Sequence, residues 1–314
     1  MKKWKVLLSV PYLLPVLDEY QPLFDSHGIE LVVTRKPECL TESELLELMS
    51  DIDGTICVDD HFTARVLESS PKLKVISKWG TGIDSIDLDA ARRIGIVVRN
   101  TPNAFTQGVA DTTLGYILMF ARGLAALDKD MKAGLWQKRE AVALHECTLG
   151  VIGVGHIGRA VIRRAKVFGM RILGYDIAGI DEDFVKETGV EVVSKETLLR
   201  EADFISLHCT LNPTSHKIIA EKELAMMKPS AFLINTARGP LVDERSLLKA
   251  LDEKKIAGVA LDVFELEPLA EDNRLRTFDN VFLAAHNANS STAARDRINK
   301  ATINNCLEEL AKHA

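Results

Sequence analysis

The sequence is poor in the features that mark secreted, membrane-bound or nucleic-acid-binding chains. It has only five cysteines (Cys39, Cys57, Cys147, Cys209 and Cys306), an odd number with no CxxC pair. Reduced thiols in a cytoplasmic protein are therefore expected, with no metal site. No apolar run is long enough to span a bilayer. The opening MKKWKVLLSVPYLLPVLDEY superficially suggests a signal peptide, but Pro11 and Pro15 break its apolar run, acids follow, and a small-residue cleavage site is lacking. It reads better as a strand over Lys5–Val10 and a helix after Pro15. There is no low-complexity tract and no short-period repeat. Excess positive charge is also missing: a net charge of -6, spread along the chain, argues against nucleic acid or an anionic membrane as partner.

What is present points to a two-domain α/β protein. At 314 residues the chain exceeds one ordinary α/β unit, and 46% apolar content can fill sizeable cores. Strand candidates lie at Lys5–Val10, Ile29–Val33, Gly54–Val58, Val75–Lys78 and Ile96–Val98, with helical patterns between them. One of these is Thr41–Met49, with Thr41 as N-cap and Glu44 three residues on. This is βαβ grammar and implies a parallel sheet. The turn-rich Asn100–Asn103 ends the unit. A helix from about Gln107 follows, apolar on more than one face and so buried on more than one side. From Thr148 the alternation resumes, giving a doubly wound sheet of six strands up to Ala284. Thr292–His313 reads as one helix, free to return to the first unit.

The most informative stretch is Cys147–Asp176. A strand over Thr148–Ile152 enters Gly153-Val-Gly155-His-Ile-Gly158, a helix follows, and a second strand ends at Asp176, eighteen residues after Gly158. That order suits a dinucleotide site: Gly153 for a tight turn, Gly155 for approach to a pyrophosphate, Gly158 for helix–sheet packing, and the helix N-terminus for the phosphates. Asp176 would bond the ribose hydroxyls and repel a 2′-phosphate, favouring NAD over NADP. Three further segments fall at strand ends: Asn235-Thr-Ala-Arg238, Asp262 through Glu267-Pro268, and Ala284-Ala-His286. Such ends are where ligands bind in open α/β sheets. An Arg, a carboxylate and a His make hydride transfer chemically sensible: His as base, a carboxylate to fix its tautomer and raise its pKa, Arg as a fork for a substrate carboxylate. Taken singly each is weak; their conjunction with the glycine fingerprint carries the weight.

These motifs resemble the D-isomer-specific 2-hydroxyacid dehydrogenase family, which includes phosphoglycerate dehydrogenases, glycerate and glyoxylate reductases, and D-lactate dehydrogenases. The resemblance is carried by LGVIGVGHIGRAV (149–161), MKPSAFLINTARGPLVDE (227–244), GVALDVFELEP (258–268), KWGTGIDSIDLDAA (78–91), NTPNAFTQGVAD (100–111) and His286. It implies a Rossmann NAD-binding domain (101–286) inserted into a flavodoxin-like substrate domain (1–100 and 287–314), with ligand bound in the cleft between them. It implies Arg238 on the substrate carboxylate and keto oxygen, His286 as acid/base, and Glu267 orienting His286. Asp262 would hold the nicotinamide carboxamide, and His156 and Ile157 would meet the pyrophosphate. Thr81, Cys209, Thr236 and Ala237 would line the cofactor. The backbone of Gly80, Thr81 and Gly82, with Lys78, would bind substrate. The helix from Gln107 and the arm to Trp136 match the family's dimer interface, implying a homodimer.

The chain departs from the family pattern at Asn287-Ala-Asn289, Thr210 and Asp111, and no C-terminal regulatory domain is expected. In the loop Cys57-Val-Asp59-Asp60-His61, where phosphoglycerate dehydrogenases tend to have a basic residue, stand two acids. They would repel a substrate phosphate, with Lys78 or His61 as offsets, unless they point to solvent. The resemblance favours an NAD-dependent enzyme for a phosphoglycerate-like or other polar D-2-hydroxy acid. The alternatives are a glyoxylate/hydroxypyruvate reductase and an NAD-binding corepressor-like protein. Formate dehydrogenase is disfavoured because position 267 is Glu rather than Gln.

Overall fold

The computed structural model describes residues 3–36 and 39–314. The chain divides into two units, Met1–Phe105 with Ser291–Ala314, and Thr106–Ser290. In the first, β1 (Trp4–Leu8), β2 (Ile29–Val33), β3 (Gly54–Cys57), β4 (Val75–Lys78) and β5 (Val97–Arg99) form a parallel sheet in the order β2-β1-β3-β4-β5. β3 and β4 are buried along their whole length, as strands covered on both faces must be. One cover is the helix Thr292–Ala311. Thr302 O on this helix accepts from Ser77 Oγ at 2.7 Å, and Asn299 Oδ1 accepts from Trp79 Nε1 at 2.7 Å. The helix Glu42–Leu48 starts at the expected Thr41, and Glu44 reaches back to complete a capping box. The segment after Val10 is a 3-10 turn, Pro11–Val16, before the helix Leu17–Ser26; Pro11 can open the turn because it has no N–H to satisfy.

The second unit holds seven parallel strands rather than the expected six. They are β6 (Thr148–Ile152), β7 (Arg171–Tyr175), β8 (Glu191–Val192), β9 (Phe204–Leu207), β10 (Phe232–Asn235), β11 (Gly258–Leu261) and β12 (Val281–Leu283). Their order is β12-β11-β10-β9-β6-β7-β8. The seventh arises because both short outer runs, β8 and β12, find partners at the sheet edges. The helix expected from Gln107 runs over Thr106–Ala121 and then breaks at Gly123, whose φ of 60° ends it. A second helix covers Leu124–Lys132. Val109, Leu114 and Ile117 are buried, and Phe120 stacks on Phe232 of β10 at 4.2 Å. No helix among the described residues is long and apolar enough to cross a membrane.

In both sheets the strand order reverses, between β1 and β3 in the first and between β6 and β9 in the second. Diverging connections leave a crevice outside the carboxyl ends at such a reversal.

Candidate active site

The glycine loop sits at the β6/β9 reversal. Gly153 (φ 92°) lies against the chain leaving β9: a Cβ there would stand 2.4 Å from Cys209 N. A Cβ on Gly158 would stand 2.1 Å from Gly153 O, so the first turn of the helix His156–Val167 is pressed onto the loop and only Gly fits. Gly155 is different. Nothing lies within 4 Å of its Cβ position, and it is exposed. The helix it precedes has no side-chain cap, so its first N–H groups face the open side beside exposed His156 and half-buried Ile157. An anionic pyrophosphate fits that cradle. Asp176, at the end of β7, is locked by two backbone donors, Val154 N at 2.7 Å and Ala178 N at 2.9 Å, which fixes its charge beside the loop.

Farther along the same carboxyl edge, Thr236 is buried with its Oγ1 3.2 Å from Thr113 Oγ1. Ala237 N donates to Asn235 Oδ1 at 3.1 Å, and Asn235 Nδ2 donates to Arg238 O at 2.8 Å. Asn235 thereby folds the chain after β10 into the turn that presents Arg238, whose Nη1 donates to Ala237 O at 2.9 Å. The next residue ties two loops together: a Cβ on Gly239 would stand 1.8 Å from Phe264 O. Main chain thus meets main chain between the Arg238 turn and the loop that ends at Glu267. Glu267 Oε1 accepts from Phe264 N at 2.9 Å, and its Oε2 lies 2.8 Å from His286 Nδ1. Both side chains are about one-third exposed, at 29% and 32%.

His286 has a φ of 48°, an uncommon conformation for a non-glycine residue that surrounding contacts must hold. Asp262 supplies them. His286 N donates to Asp262 O at 2.8 Å, and the Asp262 carboxylate accepts from Asn287 N and Ala288 N at 2.9–3.0 Å. Asp262 is 1% exposed. Burial raises its carboxyl above the usual range, with the two N–H donors opposing. The expectation that it reaches out to a carboxamide thus meets a carboxylate turned inward, because the Asn287-Ala-Asn289 backbone has taken its oxygens. Burial also pushes the Cys209 thiol up to about 11 and holds His208 down at about 3. His208 lies 2.8 Å from Ser206 Oγ and stays neutral; sequence reasoning had passed over it.

In the other unit, the substrate-binding expectation narrows. Gly80 N is already bonded to Thr101 Oγ1 at 3.1 Å, whereas the N–H groups of Thr81 and Gly82 meet no acceptor among the described residues. Lys78 is buried and pairs with Asp59 Oδ1 at 3.2 Å. Asp60 does not point to solvent: it is fully buried, accepting from Ser9 Oγ and, at 2.8 Å, from Leu40 N. No local pattern signalled this, because Ser9 and Leu40 are distant in sequence.

A glycine cradle with an acid beside it, and a strand-end Arg, Glu and His on the same sheet edge, define an NAD-dependent oxidoreductase acting on CH–OH donors. The model of the D-isomer specific 2-hydroxyacid dehydrogenase NAD binding domain matches residues 114–288. A glyoxylate reductase of Thermofilum pendens is 39% identical over 86% of this chain and 82% of its own. A D-3-phosphoglycerate dehydrogenase of Methanocaldococcus jannaschii is 43% identical over 82% of this chain and 49% of its own. Among solved structures, the D-lactate dehydrogenase of Aquifex aeolicus complexed with NAD and lactic acid has a TM-score of 0.83 at 30% identity, covering 98% of each chain. The chain belongs to the D-isomer specific 2-hydroxyacid dehydrogenase family and interconverts a 2-hydroxy acid and its 2-oxo acid.

Proposed function

We propose that the chain reduces a short, polar 2-oxo acid with NADH, using Arg238, Glu267 and His286. The observation that carries this reading is the 2.8 Å contact of His286 Nδ1 with Glu267 Oε2 beside the Arg238 turn. Bound nicotinamide supplies or accepts the hydride. Glu267, itself held by Phe264 N, keeps a proton on His286 Nδ1 and balances the charge of the protonated ring, so the proton exchanged with the substrate oxygen is carried on Nε2. Arg238 gives its planar donors to the substrate carboxylate and carbonyl oxygen, polarising the bond that is reduced. Thr81 and Gly82 N–H groups, with Lys78 behind them, complete the substrate contacts. Gly153, Gly155, His156, Ile157 and Gly158 take the pyrophosphate; Cys209, Thr236, Ala237 and Thr81 line the cofactor, and Asp262 acts by clamping the His286 loop. The fixed Asp176 carboxylate favours NAD, since a 2′-phosphate would meet like charge.

In this reading the unit Thr106–Ser290 binds cofactor and the other unit binds substrate. A homodimer is supported by Leu124, Met131, Leu135, Trp136 and Val142, large apolar side chains left exposed within residues 124–142. A cytoplasmic setting accords with the absence of a disulfide among the described residues. The first experiment is NADH oxidation against glyoxylate, hydroxypyruvate, pyruvate, phosphohydroxypyruvate and bulkier apolar 2-oxo acids. Preference for a short polar member is expected; tight NADH binding with no turnover across the panel would instead favour a corepressor-like role.

A further inference from the structure

The helix Thr106–Ala121 carries two adjacent threonines that the proposed chemistry does not use. Each reaches one of the two loops that bear reacting side chains. Thr113 donates its single hydroxyl proton to Val109 O at 2.8 Å. Its 3.2 Å contact with Thr236 Oγ1 is therefore donated by Thr236, two residues before Arg238. Thr112 Oγ1 donates to Ala288 O at 3.2 Å, two residues after His286. One turn earlier on the same face, Gly108 runs close to that loop: a Cβ there would stand 3.5 Å from Ala288 O and 3.7 Å from Asn289 O. One turn later comes Tyr116, whose phenol is pushed up to about 12, first by burial and then by the charge of Asp262. Gly108, Thr112 and Tyr116 thus lay one face of the helix along the His286 loop and the acid that clamps it.

Ala288 is gripped from two directions. Its N–H donates to the Asp262 carboxylate just past β11, and its carbonyl accepts from Thr112 on the helix. His286, two residues before it, has the positive φ that needs such holding. The links close a ring. From the helix, Thr113 leads to Thr236 and the Arg238 turn, and Gly239 then meets Phe264. Phe264 N holds Glu267, Glu267 bonds His286, and Ala288 returns through Thr112 to the helix. Every link lies within Thr106–Ser290. Resting on the 2-oxo acid reading above, we propose that Thr112 is a positioning residue for the reaction. Its hydroxyl seats the His286 loop on the helix that also holds the Arg238 turn, and so sets His286 for proton transfer. In this role Thr112 acts through the Ala288 main chain. Proton transfer falls off steeply when the acid or base is misplaced, so a loosened loop costs turnover rather than cofactor binding.

The test compares Thr112→Val, which keeps the shape and removes the hydroxyl, with Thr112→Ser, which keeps the hydroxyl. In T112V, kcat per NADH-binding site should fall about five- to tenfold, while KM for the 2-oxo acid and NADH affinity stay within about twofold of native. T112S should return kcat close to native. Hydrogen exchange, read by mass spectrometry over residues 284–290, should quicken about five- to tenfold in T112V and stay unchanged over residues 148–158. A native kcat in T112V, a T112S protein as slow as T112V, or a loss shared equally by kcat and NADH affinity overturns the proposal. Exchange needs no turnover, so it separates the two possible failures. If no 2-oxo acid is reduced, the functional reading fails by itself. The seat then stands if exchange over 284–290 quickens in T112V and slows again in T112S, and falls if it does not.

Discussion

The two units are built alike and equipped differently. Each has a parallel sheet whose strand order reverses once, and each places its polar residues just past the carboxyl ends. At the β6/β9 reversal the working surface is main chain, bared by Gly158 and Gly153, where an added Cβ would stand only 2.1 Å and 2.4 Å from main-chain atoms. At the β1/β3 reversal it is side chain: Ser9, Asp59, Asp60 and Lys78, pairing among themselves. Main-chain donors suit a ligand part that never changes, such as a pyrophosphate, whereas side-chain charges can be altered singly. The architecture supplies the crevice; the residues decide what enters it.

That contrast can be broken at graded cost. The largest effect is expected for His286→Ala, which should cut turnover by about 10²–10⁴-fold while NADH affinity, read by fluorescence titration, stays close to native. Equal loss of both would make His286 a loop-holding residue. Next is Gly158→Ala, where a methyl against Gly153 O should weaken NADH binding by roughly tenfold or more and lower stability by about 1–3 kcal/mol in denaturant titration. Native-like binding would show that the loop can yield. Asp176→Ala should then narrow the NADH/NADPH preference by about tenfold; an unaltered ratio would place the discrimination elsewhere.

The last effect touches stability alone, in the other unit, and leaves the chemistry untouched. Burial pushes the Asp60 carboxyl up to about 6, against donors from Ser9 and Leu40 that pull it down. The folded chain therefore holds this proton more tightly than the unfolded one, and stability must fall as pH rises from the ordinary carboxylate range through about 6. Relative to Asp60→Asn, which has no such proton, the native protein should lose about 2 kcal/mol between pH 4.5 and 7 in urea titrations. A constant difference would mean that Asp60 titrates as it does when unfolded.

Much of the fold was legible because parallel strands buried on both faces write themselves as short apolar runs between helical periods. Ile29–Val33, Val75–Lys78, Thr148–Ile152, Arg171–Tyr175 and Phe204–Leu207 are found with the same ends. Others shifted by a residue or two where flanking residues such as Ser9 and Val58 leave the ladder. The glycine spacing was legible for the same local reason. Long-range placements were not. Nothing local marks Gly239 as the residue that lies against Phe264. Asp60 read as facing either substrate or solvent, and its burial was hidden because its partners come from the end of β1 and from Leu40. The break at Gly123 was hidden by apolar residues continuing on both sides of it.

The helix Thr292–Ala311 has a temporal consequence. It shields β3, β4 and β5, and it bonds Ser77 and Trp79, yet it lies at the opposite end of the chain from the sheet it protects. During synthesis the first sheet therefore leaves the ribosome with one face bare, and it stays so until residues 106–290 have been made. The cofactor unit, whose strands and helices are contiguous, can finish first. A sheet translated before residues 106–290 is then sealed only after them, and its exposed face is where a chaperone would have most to hold.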